Sequence, residues 1–188
     1  MLEVIIIMTI GSTTLDKPLK LKKKMKSIEI KPPEYVLPKS FNRVFLAGSI
    51  EMGSAQPWRQ EVIERFNENV VFYNPRRDDW DSSWTHDSPE FNEQVNWELD
   101  FLENTDIILM YFDPNTKSPI SLLELGLFAR SYKLIVCCPD GFWRQGNVRI
   151  VCQRFGIPFF TDKEEWLKYF ENSLVCERYN IPFLADEK

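Results

Sequence analysis

QVNWELDFLENTDIILMYFDPNTKSPISLLELGLFA, residues 94–129, places a helix, a strand and a second helix in immediate succession. Phe91, Val95, Leu99 and Leu102 fall at helical spacing and predict a helix with those side chains on its buried face. Residues 107–112 (IILMYF) form a continuous apolar run, the pattern of a strand covered on both faces. Asp113-Pro-Asn is a turn. Ser118-Pro119 then opens the second helix, with Ser as N-cap and Pro at the first helical position. That helix is expected to run to about Tyr132.

The alternation continues outward in both directions. Short apolar runs at 43–47, 70–73, 134–138 and 158–160 read as further strands, and 56–68, 146–155 and 162–172 as helices. In the 56–68 helix the apolar groups are Trp58, Val62 and Phe66. Strands alternating with helices predict an α/β fold with a doubly wound, parallel, five-stranded sheet and helices on both faces. Ligands of such sheets bind beyond the carboxyl ends of the strands. The segments to search are therefore Gly48-Ser49, the 74–90 loop, 113–124 and 139–149. AGSIEMG (47–53) is too sparse to be a phosphate-binding glycine loop.

A chain of 188 residues suits one domain with a full core. Residues 1–40 hold eight Lys against four acidic residues, leaving 15 basic and 24 acidic groups for the rest. The Lys-rich run 17–26 and the prolines of SIEIKPPEYVLP (27–38) mark 1–40 as a partly flexible arm, carrying at most a strand at 27–31. Packing of this arm on a partner subunit is the alternative. The domain is expected over 41–176, followed by a tail over 177–188. An acidic body binds a phosphate backbone poorly, so polymeric nucleic acid is not expected as a partner. No run approaches the ~20 apolar residues of a membrane span, and VIIIMTI (4–10) lacks the flanks of a signal peptide. Cys137, Cys138, Cys152 and Cys176 form no C-x-x-C pair, and His86 is the single histidine. A zinc site or a His-based triad has little to be built from, and no metal or cofactor is expected. The thiols are read as reduced core groups of a cytoplasmic protein.

Glu124 is the residue least at home in its surroundings. On the helix from Pro119, positions 120, 123, 124, 127 and 128 read Ile, Leu, Glu, Leu, Phe; the flank at 122, 125, 126 and 129 reads Leu, Leu, Gly, Ala. A helix apolar on nearly every side is expected to be buried, and a carboxylate in it is costly unless paired or used. Two roles fit. One is a structural ion pair, with an Arg from 144–154. The other is a nucleophile or base, held between a helix N-terminus that favours the anion and burial that disfavours it. Glu98 lies at the edge of the preceding helix's apolar stripe and is either a surface residue or a second carboxylate of the kind glycosyl-bond chemistry uses. The loop NPRRDDWDSSWTHDSP (74–89) offers Arg77, Asp79 and Trp80. Arg and Asp can bond base edges and Trp can stack on a base ring; internal Asp–Arg pairs holding a solvent loop are the alternative.

Together VFLAGSI (44–50), NPRRDDWDSSW (74–84), QVNWELDFLENTDIILMYF (94–112), SPISLLELGLFA (118–129) and GNVRIV (146–151) resemble the nucleoside 2-deoxyribosyltransferase family, in particular its deoxyribosyltransferase-like branch. The resemblance covers about 41–170 and implies a flavodoxin-like sheet. It also implies cleavage of the N-glycosidic bond of a deoxynucleoside through a covalent glycosyl-glutamate, with transfer of the sugar to another base or to water. The nucleophile of the family's E-(L/I)-G corresponds to Glu124, and its acid about eight residues before the strand-leading Asp to Glu98. Gly48 and Ser49 match a substrate-contacting turn. Asn147 matches an Asn supplied to the neighbouring subunit's sugar, which implies a homodimer or larger homo-oligomer. The chain departs from the family in having T-K-S-P-I-S where D-x-G-T/S is usual, and Phe45 as the aromatic nearest to a first-strand Tyr. The departures leave three activities open: a deoxyribosyltransferase or nucleoside hydrolase, an N-glycoside hydrolase of nucleoside monophosphates or NAD-like dinucleotides, and a non-catalytic nucleotide-binding module.

Overall fold

Six strands form where apolar and β-branched residues cluster: β1 (Ile28–Ile30), β2 (Asn42–Gly48), β3 (Val70–Tyr73), β4 (Ile107–Tyr111), β5 (Leu134–Cys137) and β6 (Phe159–Phe160). Between and after them lie α1 (Trp58–Arg65), α2 (Pro89–Asn104), α3 (Pro119–Phe128), α4 (Gln145–Phe155) and α5 (Lys163–Tyr179). This computed structural model describes residues 25–38, 42–50 and 57–179, with side chains to Leu174. The VIIIMTI segment, most of the Lys-rich run and residues 180–188 lie outside the described residues.

All the strands pair in parallel, in the order β1-β3-β2-β4-β5-β6. The sheet thus has six strands, not the expected five. The added one is β1, at the sheet edge beside β3. The segment expected as a solvated arm is, over 25–38, built onto the domain. Tyr35 stacks on Phe101 with ring centroids 4.8 Å apart, and Trp97 Nε1 donates to the Glu34 carbonyl. At the other end α5 runs to Tyr179, past the tail boundary expected at 176.

Alternate residues of each strand feed two cores. Phe45, Ala47, Tyr73, Met110 and Val136 pack under α2, α3 and α4, while Val44, Leu46, Phe72, Leu109 and Ile135 pack against α1 and α5. With both faces covered, the strands can be apolar throughout. No helix among the described residues is long and apolar enough to cross a membrane.

Two helices turn differently from the sequence expectation. In α2 the buried face is Gln94, Trp97, Phe101 and Leu102, whereas Val95 and Leu99 are exposed. The rings decide this: Phe101 lies 4.2 Å from Tyr73 and 4.4 Å from Trp97, centroid to centroid, and aromatic rings bury more area than Val or Leu. In α3 only one side is covered. Ser121, Glu124 and Leu125 are buried, yet Ile120, Leu123 and Leu127 are each nearly 60% exposed (59, 59 and 58%). The helix also stops at Phe128, before Tyr132, where the Ser131 hydroxyl and amide both donate to the Phe128 carbonyl.

Where β2 ends, Gly48 takes φ +123°, and a Cβ there would lie 2.1 Å from the Tyr111 carbonyl oxygen on β4. Only glycine fits this turn without displacing the backbone. Gly48→Ala is expected to lower stability by about 3 kcal/mol or more, from strain plus overlap. Urea unfolding of the purified variant measures the loss.

Candidate active site

The site begins with a mismatch in strand length. β3 pairs with β2 as far as Phe45↔Tyr73 and then leaves the sheet, while β2 stays paired with β4 to Gly48↔Tyr111. Residues two apart on a strand direct their carbonyls to the same edge, so Leu46 and Gly48 face the side that β3 has vacated. Arg59, from the first turn of α1, fills it. Its Nε donates to the Leu46 carbonyl at 3.0 Å, Nη2 to Gly48 at 2.8 Å and Nη1 to Ser49 at 2.9 Å. The Trp58 indole N–H adds a 3.3 Å bond to the Ser49 carbonyl. Arg59 is 7% exposed. Burial pulls its pKa down to about 9, while Glu124 and Glu98 support the charge and Arg76 opposes it; it remains a cation at neutral pH.

Beyond the ends of β2 and β3, against the start of α3, opens a cleft of about 780 Å³, a size suited to a small molecule. The chain winds from β2 outward to β3 and then crosses back to β4, so the cleft lies at the switch point where parallel sheets bind ligands. Gly48 and Ser49 from β2, Gln94 and Glu98 from α2, and Ser118 and Glu124 from α3 all line it.

Glu124 is 8% exposed, and among the described residues nothing hydrogen-bonds its carboxylate. Burial, and then the charge of Glu98, push its pKa up to about 8 against the pull of Arg59. The cation beside it therefore comes from α1. Arg144 and Arg149, of the segment expected to supply an ion-pair partner, stack on Trp143 and Phe159 instead. Glu98 is half-buried and accepts a 2.7 Å bond from Gln94 Nε2, whose other bond goes to the Pro75 carbonyl. Burial raises the Glu98 pKa, opposed by the Gln94 bond and by Arg59.

The T-K-S-P-I-S segment brings hydroxyls rather than a carboxylate. Ser49, Thr116 and Ser118 close a buried triangle with oxygen separations of 2.8, 2.6 and 2.7 Å. Ser49 Oγ also accepts the Asp113 amide, and Thr116 Oγ1 donates to the Asp113 carbonyl. Ser118 is at the N-cap position but makes no side-chain cap; with φ 45° and ψ 54° it is left-handed, and its hydroxyl points into the triangle. Asp113 is buried, accepts from the amide and side chain of Asn115, and does not line the cleft.

On the loop after β3, Trp80 lines the cleft and packs edge-on against Trp84 at 5.3 Å. Arg77 also lines it, but its fork is occupied by Asp79 and Glu93 and its plane lies over Trp84. Asp79 belongs to that ion pair and is not on the cleft wall. Asn147 sits on the exposed side of α4, away from its own chain's cleft. Six expected residues thus gather at the cleft, and Asp79 and Asn147 do not. Arg59 and the Thr116–Ser118 hydroxyls were missed from sequence. An Arg next to Trp58, at helical spacing from Val62 and Phe66, was the available sign of a buried cation.

A conserved protein from Enterococcus faecalis V583, known from its crystal structure, has the same fold at a TM-score of 0.54. It is 12% identical, over 72% of this chain and 100% of that one. No curated protein matches the chain. The sequence model of the group described as nucleoside 2-deoxyribosyltransferase like matches residues 42–142, more than half of the 188, with Gly48, Ser49, Glu98 and Glu124 inside the match. The chain therefore belongs to the nucleoside 2-deoxyribosyltransferase-like family.

Proposed function

We propose that the protein cleaves the N-glycosidic bond of a deoxynucleoside in this cleft, through a covalent glycosyl ester on Glu124. The observation that carries this is a buried carboxylate that lines a ligand-sized cleft and accepts no hydrogen bond from the described residues, with a second carboxyl of raised pKa lining the same cleft. A structural glutamate would have its oxygens bonded. A nucleophile needs one left available.

Glu124 attacks C1′ as the C1′–N bond breaks; the bond's electron pair goes to the base nitrogen, which takes a proton from Glu98. Burial raises the Glu98 pKa, which favours the protonated form an acid needs. In the second half a water or an acceptor base attacks C1′, returns a proton to Glu98, and releases Glu124 as carboxylate. Trp80 offers a face for the base, and the Gly48-Ser49 turn and Ser118 offer polar contacts to the sugar. Without β1 the strand order matches that of flavodoxin-like sheets, which place their ligand at the same switch point.

One observation favours a nucleotide over a nucleoside. Arg76 lines the cleft and, unlike Arg77 and Lys31, has no carboxylate partner among the described residues, which leaves it available to a phosphate.

We further propose that the protein works as a homo-oligomer. α2, α3 and α4 cover the same face of the sheet, and large apolar side chains are exposed on all three: Val95 and Leu99 on α2, Ile120, Leu123 and Leu127 on α3, and Ile150 on α4. α2 also exposes Glu90, Glu93, Asp100 and Glu103, and α4 exposes Arg149 and Arg154 just after Arg144. A second copy seated with its α2 over this α4 buries these apolar side chains and pairs opposite charges. It also brings Asn147 of α4 towards the partner's cleft.

Glu124→Gln is expected to abolish base release while leaving the fold intact. Wild-type protein incubated with deoxynucleosides and their 5′-monophosphates should carry a deoxyribosyl adduct on Glu124 by mass spectrometry. The preferred member of that panel separates nucleoside from nucleotide, and saturable binding with no adduct and no base release identifies a binding module. Because the nucleophile must be ionised and Glu124 titrates at about 8, the rate of adduct formation should fall about tenfold per pH unit below that value. Leu123→Glu should convert the oligomer to monomer in sedimentation velocity without changing the circular dichroism of the fold.

A further inference from the structure

We propose that Arg59 is the positioning residue of this cleft: it takes the place of strand β3 at the end of β2, and so holds a cation where it acts on Glu124 and Glu98. The inference rests on the proposed role of Glu124 for its meaning in catalysis, but not for its test.

Three facts support it. First, the guanidinium donates from all three of its nitrogens to the carbonyls of Leu46, Gly48 and Ser49, two of which lost their sheet partner when β3 turned away. Second, those carbonyls accept from a charged donor, and charge-assisted bonds are the stronger kind, so the Gly48-Ser49 turn is fixed where it and Arg59 line the cleft. Third, this buried cation forms no hydrogen bond to either carboxylate, although it acts on both electrostatically. With its donors committed to carbonyls, Arg59 cannot clamp Glu124, whose oxygens stay open to a substrate.

The charged groups acting on Glu124 are Glu98 from α2 and Arg59 from α1. Those acting on Arg59 are Glu124, Glu98 and Arg76 from the loop after β3. Glu98 disfavours the Glu124 anion, and Arg59 is the one group in this set that favours it. The cation lets Glu124 lose its proton within reach of neutral pH despite burial. Once Glu124 becomes an ester its charge is gone, and Arg59 remains compensated by Glu98.

The test compares two variants that divide the side chain's properties. Arg59→Lys keeps the charge and loses the fork; Arg59→Gln keeps an N–H donor for a carbonyl and loses the charge. Urea midpoints are followed across pH, each variant with and without Glu124→Gln. The folded pKa of Glu124 lies above its unfolded value of 4.5, so its contribution to stability is fully present below 4.5 and is lost as pH rises through about 8. In Arg59→Gln the decline should extend to higher pH, because the folded carboxyl holds its proton longer. In Arg59→Lys it should end where it does in wild type, at a lower midpoint throughout. Glu124→Gln should shrink the decline in every background to the smaller part due to Glu98, whose pKa burial also raises. If Arg59→Gln lowers the midpoint equally at all pH values, or leaves it unchanged, the cation does not act on Glu124 and the proposal fails. It fails equally if Arg59→Lys does not fold. Should only Arg59→Gln fail to fold, a wild-type pH limb in Arg59→Lys that shrinks with Glu124→Gln sustains the proposal, and a displaced limb overturns it. None of these readouts needs turnover, so an absence of adduct on Glu124 would count against the glycosidic chemistry alone. Where adduct forms, its pH limb should move upward in Arg59→Gln.

Discussion

At its carboxyl end β2 continues through Leu46, Ala47 and Gly48 after β3 has turned out of the sheet, and two backbone carbonyls are left on an edge buried beneath a helix. Buried carbonyls without donors are costly. Had β3 run on, the ladder would have closed and no cleft would exist at this point. Had a water-filled gap been left, the Gly48-Ser49 turn would lack a fixed floor. A guanidinium solves both problems, because its planar fork reaches several acceptors at once. The same choice brings a positive charge into the interior, and that charge requires anions nearby. Glu98 and Glu124, from two further helices, both favour that charge electrostatically when they ionise. The opening in the sheet, the cation and the carboxylates are thus one linked arrangement.

The second constraint is on α3. Its start is set by the hydroxyls of Ser49, Thr116 and Ser118, which tie the end of β2 to the chain following β4. Ser118 adopts a left-handed conformation that a serine takes up only at some cost. The triangle offsets that strain with buried hydrogen bonds, and Pro119 directly after it fixes the first helical φ. From this anchor Glu124 lies within the second turn, where the helix N-terminus still favours an anion. Burial wins over the dipole, since the net shift is upward. The outcome is a carboxyl that gives up its proton near neutral pH, unlike a surface glutamate.

Much of this was legible in the sequence, for particular reasons. Apolar runs such as IILMYF can only be strands covered on both faces, and their alternation with helices leaves little choice of architecture. Glu124 was legible because no other polar group of its helix competes with it for a role beyond Ser121. What stayed hidden depends on partners distant in the chain. Arg59 is unremarkable until β3 is known to stop at Tyr73. The buried face of α2 could be drawn through Val95 and Leu99 or through Trp97 and Phe101, and only the rings of Tyr35 and Tyr73 beneath it decide. The 25–38 segment carries Lys and Pro that suggest a solvated arm, yet Ile28 and Ile30 pair with β3 and Trp97 holds the Glu34 carbonyl.

The apolar character of α3 has two separate causes, which the sequence merges into one. Its inner side is apolar because it rests on the sheet, with Leu125 and Ala129 in the core. Its outer side, Ile120, Leu123 and Leu127, is more than half exposed among the described residues, so core packing alone does not account for it. A lone helix on a sheet would normally turn charged groups outward. Here the charges are displaced to the flanking helices, acidic on α2 and basic on α4, the distribution expected of a surface that meets its own copy about a twofold axis parallel to α3. The helix that carries Glu124 on its inner side would then carry the subunit contact on its outer side. Closing that contact would fix α3 from both sides, and with it the distance between Glu124 and Glu98, on which any proton exchange between leaving base and carboxyl depends.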